Sequence, residues 1–230
     1  MKVFLSEYTK FEISENYVIP SSLHKLIHKI WQNHYEELYE YAPNQVESLE
    51  DSCLEILDFF SINKPFLSHY RYLVMSIILA ESIRPTIDAY LTEDSRIQVV
   101  FQEINKFLAD KKEPNFNLIE KLFPVTSEGS QALDEVLDVL KNSIKVLDIK
   151  QSKEALLNIL DDCLEGYAIF PGSQGRRDLF NWWLLEVVPA SWCLQFPNQL
   201  YTINGIKKTQ NSQQVEAIAQ MARGAIADLK

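Results

Sequence analysis

Apolar residues recur along most of the chain at intervals of three and four, the spacing that puts them on one face of an α-helix. Leu23, Leu26, Ile27, Ile30, Trp31, Tyr35 and Leu38 follow the helix-entry segment Pro20-Ser21-Ser22 and predict a first helix reaching about Tyr41. After Ala42-Pro43-Asn44, the residues Val46, Leu49, Cys53, Ile56 or Leu57, and Phe60 predict a second. A third begins near Pro65 and carries Leu67, Tyr70, Val74, Ile77 and Ile78 to Arg84, where Pro85 is expected to bend or end it. Asp94 or Ser95 caps a fourth helix, with Ile97, Val100, Phe101, Ile104 and Phe107 inward. Beyond Pro124, Leu133, Val136, Leu137, Leu140, Ile144 and Leu147 mark a long helix. Ala155, Leu156, Ile159, Leu160 and Cys163 mark the next, with Ser152 as its cap and Gly166 as its stop.

One stretch departs from this amphipathic rule. From Leu179 to Phe196 only Asn181, Glu186, Ser191 and Gln195 are clearly polar, so a helix here is apolar on nearly every face and belongs inside. It carries Trp182, Trp183 and Trp192, whose indole N–H groups each need an acceptor. Pro189 is expected to kink or break it and leave Ala190 to Phe196 as a separate short piece. At the chain ends the pattern weakens. Val3 with Leu5, and Phe11 with Ile13, alternate as in short N-terminal strands. Residues 199–211 contain the turn signal Asn204-Gly205 but a polar second arm, and read as a loop able to form short strands before a last helix capped by Ser212. The expected architecture is all-α: one domain over residues 1–230 with an N-terminal arm at 1–19, about eight to ten helices, arranged as an irregular bundle or a HEAT-like array.

Composition narrows the class. The 230 residues are 47% hydrophobic with only 6 Gly, which suits an ordered globule with a sizeable core. A net charge of −10 and scattered basic pairs argue against a nucleic-acid partner and are more compatible with a basic protein. Cys53, Cys163 and Cys193 are far apart in apolar helical patterns, as expected of free thiols in a reducing compartment, so a cytoplasmic location is the expectation. The apolar run Tyr72 to Ala80 is too short to span a bilayer.

Between Glu36 and Asp58 the acids Glu36, Glu37, Glu40, Glu47, Glu50, Asp51, Glu55 and Asp58 occur without a single Lys or Arg. Glu47, Asp51, Glu55 and Asp58 share a helix face, which is either a solvated face or a docking surface for a basic partner. Glu186 sits among Leu184, Leu185, Val187 and Val188, where an ionised carboxylate demands a partner; Arg84, on a stripe with Glu81 and Asp88, is the first candidate. The loop Pro171-Gly172-Ser173-Gln174-Gly175-Arg176-Arg177-Asp178 feeds a helix N-terminus and suits an anion, or else Arg176 and Arg177 neutralise Asp161, Asp162 and Glu165. A pocket beside Trp182, Trp183 and Glu186, with Arg176 or Arg177 gripping an anionic group, is the small-molecule or enzymatic alternative. His24 and His28, four apart on the first helix, offer two ligands to a metal if further ligands join them. No nucleophile–base, phosphate-loop or dinucleotide pattern is present, and no cofactor is implied.

Ala80-Glu81-Ser82-Ile83-Arg84-Pro85, Tyr90, Glu93-Asp94-Ser95-Arg96 and the segment NFNLIEKLF from Asn115 to Phe123 resemble, in their order, the YjaG-like family of all-helical bacterial proteins. The same residues are similar to the helical immunity proteins of polymorphic toxin systems. The likeness spans roughly residues 70 to 165, and Ser82 stands where the family usually has Arg. It implies an all-α fold and no catalytic residue. Together with the acidic surface it favours a protein-binding or inhibitory module.

Overall fold

The computed structural model describes residues 8, 10–42, 47–62, 65–91, 93–110, 114–124, 131–165, 173–203, 205–208, 217–218 and 220–224. The chain is all-α. Its helices are α1 (Ser21–Trp31), α2 (Leu49–Ser61), α3 (Pro65–Tyr90), α4 (Arg96–Asp110), α5 (Asn117–Leu122), α6 (Gln131–Lys145), α7 (Ser152–Glu165), α8 (Ser173–Trp182) and α9 (Val188–Trp192). A 3₁₀ turn, Glu36–Leu38, lies between α1 and α2. A π-helical turn, Trp183–Val187, joins α8 to α9 without a break.

Helix α3 is the hub. It packs against α2, α4, α6, α7 and α9, an arrangement of a bundle around one axis and not of a stacked array in which each unit meets only its neighbours. Residues 71–80 are all buried, so α3 is covered on every side along that stretch. Its polar groups are answered locally: the Ser76 and Ser82 hydroxyls donate to the Leu73 and Leu79 carbonyls, and Tyr72 donates to the Leu57 carbonyl at 2.7 Å. Pro85 neither ends the helix nor leaves it short, because Ile83, Thr86 and Ile87 on either side of it are buried and hold the turn in place. The tryptophan-bearing stretch is the second inner element: Trp182, Trp183, Leu184, Leu185, Val187 and Val188 are at most 1% exposed.

Several boundaries differ from expectation. α1 stops at Trp31, about ten residues early, because Tyr35 turns inward as extended chain and its hydroxyl donates to Ser52 Oγ at 2.9 Å. α2 starts at Leu49 with Ser48 Oγ accepting the Asp51 amide at 3.0 Å. Pro189 does not break the buried helix; the turn before it widens, and the Val188 amide reaches the Trp183 carbonyl five residues back. The segment Gly175-Arg176-Arg177-Asp178, expected as loop, lies inside α8. Residues 10–20, with Phe11 and Ile13, form an arm without strands, fastened where Phe11 packs edge-on against His24 and His28, while Val3 and Leu5 lie outside the described residues. The short strands allowed for residues 199–211 do form, at β1 (Gln199–Thr202) and β2 (Gly205–Lys208), an antiparallel hairpin whose Thr202 pairs with Gly205 and whose β1 rests on α3. Ser212, proposed as a cap, lies outside the described residues.

Candidate functional site

Two concavities draw acidic side chains together. The first lies between the 3₁₀ turn, the start of α2 and the end of α7, and has a volume of about 270 Å³. Leu49, Leu157, Leu160 and Leu164 furnish an apolar floor, and Glu37, Glu50 and Asp161 stand at the rim with no Lys or Arg lining it. Local capping explains part of this. Glu37 Oε1 accepts the Leu49 amide at 3.2 Å, and Glu50 with Asp51 occupies the first turn of α2, where the helix dipole favours anions. Cys53 in the cleft has its thiol pushed far up by burial, with Asp161 and Glu50 adding to the effect, so it is a neutral wall and not a nucleophile.

The helix face read from spacing is largely neutralised. Lys29 of α1 bridges Glu47 at 2.8 Å and Glu55 at 3.0 Å, and Lys153 of α7 pairs with Asp58. Of the four residues on that face only Asp51 lacks an ion pair among the described residues. Exposed acidity is thereby displaced toward Glu36, Glu50 and Asp161.

The second concavity, about 530 Å³ and open, runs between the N-terminal arm and the π-helical turn. Glu186 lines it together with Tyr8, Lys10, Glu12, Glu15 and Gln199. The π turn places Glu186 at the edge of an otherwise buried helix. Its Oε2 accepts a hydrogen bond from Tyr17 at 3.2 Å, and burial raises its carboxyl above the usual range while that bond pulls it back. Tyr17 is driven up by burial first and by the Glu186 charge second, and stays a protonated donor.

The other residues singled out by sequence go elsewhere. Arg84 does not meet Glu186. It chelates Glu81 through Nε and Nη2 at 3.0 and 2.7 Å, stacks over Phe101, and makes no ion pair with Asp88 among the described residues. Arg177 donates to the Trp31 carbonyl at 2.7 Å, the Asn33 carbonyl at 2.9 Å and Glu40 at 3.1 Å, closing the open C-terminal end of α1. Arg176 lies over the Tyr39 ring at 4.4 Å. Neither lines the Glu186 groove, so the expected anion-accepting pocket is not assembled there, and Pro171 and Gly172 of the proposed anion loop fall outside the described residues. Trp182 and Trp183 are packed and not pocket walls: Trp182 Nε1 donates to the Gln199 carbonyl at 3.0 Å and Trp183 Nε1 to Met75 Sδ at 3.4 Å. His24 and His28 clasp Phe11, and no group of three or more His, Cys, Asp or Glu able to hold a metal occurs among the described residues.

Two groups, Arg71 and His69, gave no sequence signal, and Asp162 drew notice only as an acid for Arg176 or Arg177 to neutralise. Arg71 is 8% exposed, and burial lowers it to about 10. His69 is buried on α3 with Nε2 2.7 Å from the Val146 carbonyl. Asp162, raised to about 7 chiefly by burial and then by Asp138 and Asp161, faces α6. In each case part of the environment comes from a distant element.

These features define an all-α helical bundle carrying one acid-rimmed apolar cleft and one carboxylate groove. Compared with protein-family models, with curated proteins and with solved structures, the chain matches none. Among the described residues no helix is long and apolar enough to cross a membrane.

Proposed function

We propose that this chain is an acidic protein-binding or inhibitory module that engages a basic protein through the cleft between α2 and α7. The observation that carries the reading is the pairing of a leucine floor with Glu37, Glu50 and Asp161 at a rim devoid of bases. Such a cleft suits a Lys or Arg side chain, whose methylene stem lies on leucine while its charged head meets carboxylates. The resemblance to helical immunity proteins supports masking of a partner as the mode of action. Buried thiols at Cys53 and Cys163 favour a cytoplasmic setting, and the net charge of −10 favours a basic protein over a nucleic acid.

The test is a fluorescence titration with a labelled Arg-rich amphipathic peptide and its Glu-substituted counterpart at low and physiological salt. The Arg-rich peptide binds, weakens as salt rises, and loses about tenfold or more in affinity when Glu50 and Asp161 are both reversed to Lys. Binding that ignores both salt and the reversal overturns the reading.

A further inference from the structure

Glu186 is a half-buried carboxylate without a basic partner. Among the described residues it makes no ion pair, and its one hydrogen bond is that from Tyr17 to Oε2. The fold had cations to offer and committed them elsewhere: Arg71 to Trp192, Arg84 to Glu81, Arg177 to Glu40. A partly desolvated carboxylate of this kind is destabilised, and a cation brought beside it offsets that cost. It sits on a π-helical turn, a distortion that in helices recurs at functional positions. It also opens on a concavity of about 530 Å³, within the range of small-molecule sites.

The wall of that groove has a definite sign. Glu12, Glu15 and Glu186 line it against a single Lys10, and Ser14, Asn16 and Gln199 add neutral polar groups. The geometry points to a binding site for a small organic cation, an ammonium or guanidinium compound, with Glu186 as its counter-ion and Tyr17 holding the carboxylate in place. A metal ion is the poorer fit, since no constellation of three metal-binding side chains occurs among the described residues. An organic cation needs only one well-placed carboxylate, and Tyr8 in the same wall adds an aromatic surface. This site is separate from the α2–α7 cleft and does not depend on the reading given for it.

The charged and titratable groups around the carboxylate are Lys10, Glu12, Glu15 and Tyr17 of the arm and, beyond Tyr17, Cys193 at the end of α9 with Arg71 of α3 behind it. Of these, only Glu186 combines partial burial with a raised carboxyl, and a cation bound beside it pulls that carboxyl back down.

Calorimetry with agmatine and putrescine, and with butyrate as the anionic control, tests the proposal. At least one cation binds at about 1 mM or tighter, butyrate does not, and Glu186→Gln, which keeps an acceptor for Tyr17, weakens the cation about tenfold or more. If that variant fails to fold, the wild-type chain decides: the affinity for the cation falls between pH 7 and pH 4 as the carboxylates of the groove take up protons. No binding of either cation, equal binding of butyrate, unchanged affinity in Glu186→Gln, or an affinity that does not fall between pH 7 and pH 4 overturns it.

Discussion

The guanidinium of Arg71 lies 3.4 Å over the ring of Trp192, and its Nε donates to the Trp192 carbonyl at 3.1 Å. One residue of α3 thus grips both the side chain and the backbone of the last turn of α9. The cation rests at a helix C-terminus, where the dipole is negative, and no carboxylate pairs with it among the described residues. Burial lowers Arg71 only to about 10, so it stays charged at neutral pH.

Arg71→Lys is therefore expected to be poorly tolerated, because an ammonium has neither the flat face for Trp192 nor the second donor geometry. A loss of about 1–3 kcal/mol is expected, the sum of a desolvated cation–π contact and a charge-assisted hydrogen bond. Urea denaturation followed by tryptophan emission measures it. An unchanged midpoint would show that the contact contributes nothing.

Asp162 provides a pH dependence on the alkaline side. Its carboxyl is raised from 3.8 to about 7 by burial and by Asp138 and Asp161, so the folded state holds a proton that the unfolded state releases. Its contribution is full below the unfolded value and is lost as pH rises through about 7. Asp162→Asn should raise stability at pH 8.5 relative to the parent, by on the order of 1 kcal/mol once partial exposure is discounted, with little change at pH 5. Equal shifts at both pH values would count against the assignment.

His69 acts on the acid side. Burial lowers its imidazole below 6.5, and its Nε2–H donates to the Val146 carbonyl in the neutral form. The unfolded chain binds the proton more readily, so the stabilisation is complete above the unfolded value and is lost as pH falls through the folded one. Chemical denaturation from pH 7 to pH 4.5 should show an acid-side decline that is shallower in His69→Gln. Parallel profiles would dismiss His69 as its source.

Arg177 is the staple between α8 and the end of α1. Its removal in Arg177→Ala strips donors from two carbonyls and Glu40, and a cost of about 2–4 kcal/mol is expected. Hydrogen exchange should then quicken in residues 28–34 before the rest of the bundle. Uniform acceleration everywhere would mean that the staple is not local.

Helices on one period of 3.6 were legible wherever one side is wet, as in α2, α4, α6 and α7. Most of the inward residues named for them, from Cys53 and Phe60 to Leu156 and Cys163, are buried; Phe107 and Leu133 are half-buried, and Val46 lies outside the described residues. The same rule failed at Tyr35, where an apolar residue in phase with α1 is buried by extended chain, so spacing alone extends the helix too far. Pro85 and Pro189 failed as stop signals because packing around them outweighs one lost hydrogen bond each. Glu186 was conspicuous as a lone acid in an apolar run, yet the arm that forms its groove has no periodic pattern to announce it.

Amphipathic spacing and the apolar stretch around Trp182 and Trp183 were enough to determine that this protein is helical, that the tryptophans are inside and that its surface is acidic, since each depends on residues near in sequence. Tertiary structure alone decided which charges far apart in sequence cancel. Lys29 meets Glu47 and Glu55 across 18 and 26 residues, Arg177 meets Glu40 across 137, and Tyr17 reaches Glu186 across 169. Coulomb and hydrogen-bond energies depend on distance in space, and one chain of letters records only distance along the backbone.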